Sequence, residues 1–380
     1  MARTKEKKIE DTTVNFSKVI DDILKGKEYR NYHFNADDPV NYKISTGSLL
    51  FDMATNGGFG PGLIRFIGQY AGGKTSECLE IAKNFQQTVA NSFVLYVNAE
   101  GRISKEMLER AGVEYEDETK FKILQTQTLH VVFDTLKRCM IDNDAYPKDQ
   151  QRRFLFIVDS MDALSPADDQ SKSAKDSVRV AGGAVVTSHF LKTMGLMINL
   201  KGHMCICISQ RRSTINADQY KKPDFKNHNA SGGHALDHFA NWIFEFEGRY
   251  KKDKILENPT AAFDNEKNPS VGHMCKLRII KSPVEKYDVP IQYPVKYGTN
   301  GSGAIWVAKE ITDAMIKSGW VTQSGAWIKV SEEVSEACEE LGIELPDKFQ
   351  GQHSLFEFIE SNKAFREYAY MRFVEAFSGI

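Results

Sequence analysis

The sequence predicts an α/β fold with a mostly parallel central sheet, and three observations carry that expectation. From Ile44 to about Gly298, apolar strand-like runs alternate with helical stretches, the pattern of strands joined by crossover helices. One junction holds Gly68-Gln69-Tyr70-Ala71-Gly72-Gly73-Lys74-Thr75, which fits G-x-x-x-x-G-K-[ST], between the apolar run 63–67 and a helix expected to reach about Ala90. Four of the runs end in polar residues, as strands do where an open sheet presents its binding edge.

Residues 1–11 are charged and polar. Val14, Val19, Ile20, Ile23 and Leu24 recur at helical intervals and stop at Gly26, so a short amphipathic helix is expected at about 14–25, within an N-terminal arm of residues 1–43. The core, 44–300, carries strand-like runs at 63–67, 94–98, 121–124, 154–158, 204–209, 242–246, 275–280 and 291–296, the last of them antiparallel. Lys251 to Ser270, rich in Lys, Asn, Pro and Glu, reads as a solvated hairpin excursion. Residues 301–380 turn helical and aromatic, with Trp306, Trp320, Trp327 and a final helix expected at about 353–377, which suggests a small C-terminal α/β domain.

Composition narrows the classes. A chain of 380 residues buries a sizeable core and is expected to hold two or three units. Its net charge of −2 excludes a generally basic nucleic-acid binder, so any such binding must come from local clusters. Six cysteines show no C-x-x-C pair and no disulfide-like spacing, and no long apolar span or signal peptide is evident, so a reduced, cytoplasmic protein with no membrane partner is expected. Cys205 and Cys207, in one apolar run, read as small core residues.

The phosphate loop has a physical reading. Gly68, Gly72 and Gly73, with Gln69, Tyr70 and Ala71 between them, let backbone N–H groups turn inward on phosphates. Lys74 meets the β and γ oxygens, the Thr75 hydroxyl can ligate Mg²⁺, and Ser76 completes the nucleotide-binding set at the positive end of the helix. The run 93–97 ends in Asn98-Ala99-Glu100, 154–158 in Asp159-Ser160, and 204–208 in Ser209-Gln210. Asp159 suits the position that holds a Mg²⁺ water. Glu100 can orient and deprotonate the water attacking a γ-phosphoryl group; the plainer reading is a solvated loop acid. Gln210 can donate to the γ-phosphate and report its presence.

Two loops leave these strands. Residues 211–233 lack apolar periodicity, and Arg211, Arg212, Lys221, Lys222 and Lys226, interleaved with Tyr220 and Phe225, suit phosphate neutralisation and base packing; a solvated surface loop is the plainer reading. Asp168 to Ser177 carries Lys172 and Lys175, with Arg179 just beyond. Because both leave strands of the expected ATP site, a γ-phosphate sensed at Gln210 can order a DNA-binding loop.

These residues, in this order, resemble the bacterial RecA recombinase family and its phage UvsX-type relatives. The likeness runs from Ile44-Ser45-Thr46-Gly47-Ser48-Leu49 through the phosphate loop, Asn98-Ala99-Glu100, Val158-Asp159-Ser160-Met161-Asp162-Ala163-Leu164 and Ser231-Gly232-Gly233-His234-Ala235-Leu236 to Gly325-Ala326-Trp327. It implies a RecA-like ATPase core using ATP and Mg²⁺, with Glu100 as catalytic base, Gln210 as γ-phosphate sensor and the loops near 168–178 and 211–232 facing DNA. It also implies helical filaments on single-stranded DNA with ATP at the subunit interfaces, the helix at 14–25 packed on a neighbour, pairing with homologous double-stranded DNA, and help from single-strand-binding and loader proteins. The family carries two lysines, one residue apart, that reach a neighbour's ATP. Lys281 stands at the first position, but Pro283 stands at the second and supplies no cation, so Lys281 acts with another residue such as Lys286 or interfacial sensing differs. The bacterial acidic tail is missing, and acid is gathered at Glu332 to Glu344 instead; these departures, with the modest loop similarity, look more phage-like than bacterial. A replicative helicase with a related core and a non-motor ATP switch are the competing functions. The ~60 residues before the phosphate loop are short for a helicase's primase-interaction domain.

Overall fold

The computed structural model describes residues 42–167, 182–210, 233–258, 261–298 and 304–377. The helix expected at 14–25, the 168–178 loop with Lys172, Lys175 and Arg179, and the 211–232 loop with Arg211, Arg212, Tyr220, Lys221, Lys222, Phe225 and Lys226 lie outside the described residues.

The central sheet is built from β1 (Gly62–Gly68), β2 (Ser92–Asn98), β3 (Phe121–Leu124), β4 (Arg153–Asp159), β5 (Met204–Gln210), β6 (Trp242–Phe246), β7 (Lys254–Leu256), β8 (Ser270–Lys281) and β9 (Pro290–Lys296). Its order is β3-β2-β4-β5-β1-β6-β8-β7, with β9 paired to β8. Strands β1 to β6 are mutually parallel, and β7, β8 and β9 join antiparallel, as the sequence predicts. Continuous apolar runs are required because helices cover both faces. Ile64, Phe66, Tyr96, Ile157 and Ile206 face one cluster with Leu79, Ile81 and Phe85 of the helix Lys74–Thr88. Leu63, Ile67, Val97, Phe156 and Cys205 face the other, against Leu136 of the helix Leu129–Asn143 and Met194 of the helix Gly182–Leu200. Each fully buried Leu, Ile, Val, Phe or Met side chain among them contributes on the order of 1.5–3 kcal/mol. Cys205 and Cys207 are core residues, each 2% exposed.

Two features refine the sequence reading. The 251–270 excursion contains β7, which pairs with an early-starting β8, and its turn is anchored by the buried carboxylate of Asp253, which accepts from the Tyr250 amide and pairs with Lys276. The last helix is two helices, Gly351–Ser361 and Lys363–Phe377, because Asn362 leaves helical geometry and its Oδ1 accepts from the Phe365 amide at 2.9 Å, capping the second.

Residues beyond 304 build a third cluster, with Ile311, Met315, Ile328, Leu355 and Phe365 packed around Leu49, beside a sheet of β10 (Val321–Ser324), β11 (Trp327–Val330) and β12 (Phe349–Gln350). Glu310, 1% exposed, accepts from the Ser48 hydroxyl and from the amides of Leu49 and Leu50, at the N-terminus of the helix Leu49–Ala54.

Candidate functional site

The parallel register levels the strand ends. Gly68 lies opposite Gln210, and Asn98 opposite Asp159, so the polar residues that follow β1, β2, β4 and β5 gather on one edge. Between them is a cleft of about 150 Å³, lined by Tyr70 to Ser76, Glu100, Arg102, Asp159, Ile208, Gln210 and Arg249.

The phosphate loop takes its shape from close approach. Gly68 has φ +151°, and a Cβ there would lie 2.1 Å from the Phe246 carbonyl oxygen, so β1 can continue beside β6 only with glycine at that position. Gly73 precedes the helix Lys74–Thr88 in the left-handed region, leaving the first-turn amides without a side-chain cap. Lys74 is 7% exposed and folds back over the loop, its Nζ donating to the carbonyls of Gly68 at 2.9 Å and Gln69 at 2.6 Å. Burial lowers its pKa, opposed by the charges of Asp159, Glu100 and Asp162. Unfilled amides and a buried ammonium fit the phosphates of a nucleotide.

Thr75 Oγ1 donates to Asp159 Oδ2 at 2.7 Å, and the Tyr96 hydroxyl donates to the same oxygen at 2.6 Å. Burial, reinforced by the Asp159 charge, raises the Tyr96 pKa, so that hydroxyl stays a donor. Thr75 and Asp159 are the pair a magnesium ion would use. Among the described residues no group of three or more His, Cys, Asp or Glu side chains could hold a metal.

Glu100 is held on three sides. Ser160 Oγ and Gln210 Nε2, the latter at 2.9 Å, donate to its Oε1, while Arg102 Nη1 is 2.8 Å from its Oε2. Gln210 is fixed in turn, its backbone N–H donating to Asp162 Oδ2 at 2.6 Å. The structure therefore brings together Gly68, Gln69, Tyr70, Ala71, Gly72, Gly73, Lys74, Thr75, Ser76, Glu100, Asp159 and Gln210. The acid and amide at the ends of separate strands meet in one hydrogen bond.

Lys281 is not in this cleft. Its Nζ donates at 2.8 Å to the carbonyls of Asp237 and of His238, in the helix Gly233–Phe239 that follows the 211–232 loop. Lys286, weighed as its substitute partner, donates instead to Asn56 Oδ1 at 2.7 Å and the Met53 carbonyl at 3.2 Å. Sequence reasoning missed Arg102, Ser160, Tyr96, Asp162 and Arg249. Ser160 and Asp162 stood in the quoted run after β4, whereas nothing local marks Tyr96, Arg102 or Arg249.

Fold and site together define a P-loop ATPase with Glu100 and Gln210 hydrogen-bonded to each other at the ends of β2 and β5. No protein-family model matches the chain. Known proteins do: it is 26% identical over 293 residues to the RecA protein of Cereibacter sphaeroides, covering 76% of this chain and 75% of that protein. It is 25% identical over 304 residues to RecA of Paracoccus denitrificans, covering 78% and 75%, and 25% identical over 329 residues to RecA of Rhodopseudomonas palustris, covering 84% and 78%. Over most of its length the chain is similar to these RecA proteins. Among the described residues no helix is long and apolar enough to cross a membrane.

Proposed function

We propose that this protein is a DNA-dependent ATPase recombinase that assembles as a helical filament on single-stranded DNA and promotes pairing and strand exchange with homologous double-stranded DNA. One observation carries the reading. The Gln210 side chain rests on Glu100 in the cleft, and the basic, aromatic segment 211–232 begins at the next residue. Whatever moves Gln210 pulls on that segment directly.

In this reading Lys74 and the loop amides bind the β- and γ-phosphates of ATP. Thr75 and Asp159 would hold Mg²⁺, which supplies charge neutralisation and orientation. Glu100 takes a proton from the attacking water as the γ-phosphoryl group transfers, giving ADP and phosphate. Gln210 exchanges its bond to Glu100 for one to the γ-phosphate. The loops 168–178 and 211–232 face DNA, through Lys172, Lys175, Arg179, Arg211, Arg212, Tyr220, Lys221, Lys222, Phe225 and Lys226. The arm 1–43 packs on a neighbour, 301–380 is a small C-terminal domain, and the setting is cytoplasmic, with single-strand-binding and loader proteins as accessory partners. Pro283, where the resemblance expects a lysine, is the residue behind a UvsX-type placement.

ATP turnover measured with and without single-stranded DNA, beside electron microscopy of the product, tests the function. Stimulated turnover with helical filaments is expected. Closed rings would favour the helicase, and turnover indifferent to DNA would favour an ATP switch.

A further inference from the structure

The phosphate cleft has a second cation on the side away from Glu100. Arg249 follows β6, and its segment is pressed against the phosphate loop: a Cβ on Gly248 would lie 2.3 Å from Gln69 Oε1. It lines the main cleft and also a neighbouring cavity of about 30 Å³, which shares Gly73 and Ser76 with the cleft and is walled by Glu77, His273, Cys275 and Tyr293. Its charge is felt in that wall. After burial, Arg249 is the next cause holding His273 down to about 4, and it opposes the burial that pushes Cys275 up to about 12. The Cys275 thiol in turn donates to the Gly72 carbonyl at 3.4 Å, inside the phosphate loop.

Arg249 is exposed and, among the described residues, makes no hydrogen bond or ion pair, unlike Arg102, which is committed to Glu100. An unpaired guanidinium beside a phosphate cradle is matched in charge and geometry to phosphate oxygens. Its position selects which ones. Glu100, Asp159 and Gln210 extend from β2, β4 and β5 on one side of β1, whereas β6 lies on the other. A triphosphate with its terminal group at Glu100 and Gln210 would turn its inner phosphates toward Ser76 and Arg249.

We propose that Arg249 is a nucleotide-binding residue that meets the inner phosphates within its own subunit, and so grips nucleoside diphosphate and triphosphate alike. This rests on the ATPase reading above. The test measures ATP and ADP affinity by calorimetry, with magnesium, for the wild-type protein and for Arg249→Ala, Arg249→Lys and Lys74→Ala. Arg249→Ala should weaken ATP and ADP equally, by roughly tenfold, the size of one charge-assisted hydrogen bond, with nucleotide-free melting unchanged and partial recovery in Arg249→Lys. Affinities within twofold of wild type for both nucleotides, while Lys74→Ala loses them, would overturn the Arg249 assignment and leave the ATPase reading standing. A loss confined to ATP would also overturn it, since that places the guanidinium at the γ-phosphate. Wild-type protein that binds neither nucleotide would sink the ATPase reading itself.

Discussion

Replacing Glu100 with Gln removes a base while leaving almost everything around it in place. The amide oxygen can take over Oε1, keeping the bonds from Ser160 and from Gln210 Nε2, while the amide nitrogen turns to where Oε2 meets Arg102. That contact becomes donor against donor, but the Arg102 side chain is 75% exposed and swings into solvent, and such a surface pair is worth about 0–1 kcal/mol. Folding and ATP affinity should therefore hold. The chemical step should not: loss of a general base slows hydrolysis by roughly 10²–10⁴-fold, about 2.7–5.4 kcal/mol of barrier. Single-turnover hydrolysis on single-stranded DNA reads the chemistry, and a filter-binding chase reads release from DNA, which should slow in step because ATP persists. Turnover within threefold of wild type, with ATP bound, would refute the role of Glu100, since no other carboxylate hydrogen-bonds to Gln210 Nε2 among the described residues.

Replacing Arg211, Arg212, Lys221, Lys222 and Lys226 with Ala should flatten the log–log salt dependence of single-stranded DNA binding by ~0.7 per lost phosphate contact, and an unchanged slope argues against that segment as a DNA contact. Lys281→Ala should lower DNA-stimulated turnover. Mixing it with Glu100→Gln subunits should restore part of it, because one kind of mixed interface pairs an intact Glu100 with an intact Lys281; co-assembled mixtures that recover nothing would confine Lys281 to its own subunit, as the clamp on the carbonyls of Asp237 and His238. Burial raises the Glu310 carboxyl from its usual 4.5 to about 8, so the folded state binds the extra proton. That contribution to stability is fully present below pH 4.5 and lost as pH rises towards 8, and chemical denaturation of Glu310→Gln across this range should show a shallower decline than wild type.

The parts of the site visible in the sequence are those where one strand end supplies the residue. Gly68 to Ser76, Glu100, Asp159 and Gln210 each follow an apolar run buried on both faces. The parallel register then brings them to one edge without further information. The strand positions were legible for the same reason, and the break at Asn362 was not, because Phe358 and Phe365 on either side keep a helical spacing straight through the residue that caps the second helix. What stayed hidden depends on contacts between distant segments. Tyr96 reads as one more apolar strand residue, yet its hydroxyl fixes the same Asp159 oxygen that receives Thr75. Arg249 sits in a charged stretch resembling any solvated loop, and only the pairing of β6 beside β1 puts it at the phosphate loop. Lys281 is a different case: the resemblance gives it a role across an interface, and the single chain gives it two carbonyl acceptors of its own. An ammonium has three N–H donors, so Lys281 can offer its third to a neighbour's phosphate while holding these two carbonyls. Any interfacial role for Lys281 is therefore coupled to the helix Gly233–Phe239, whose first residue follows the proposed DNA loop.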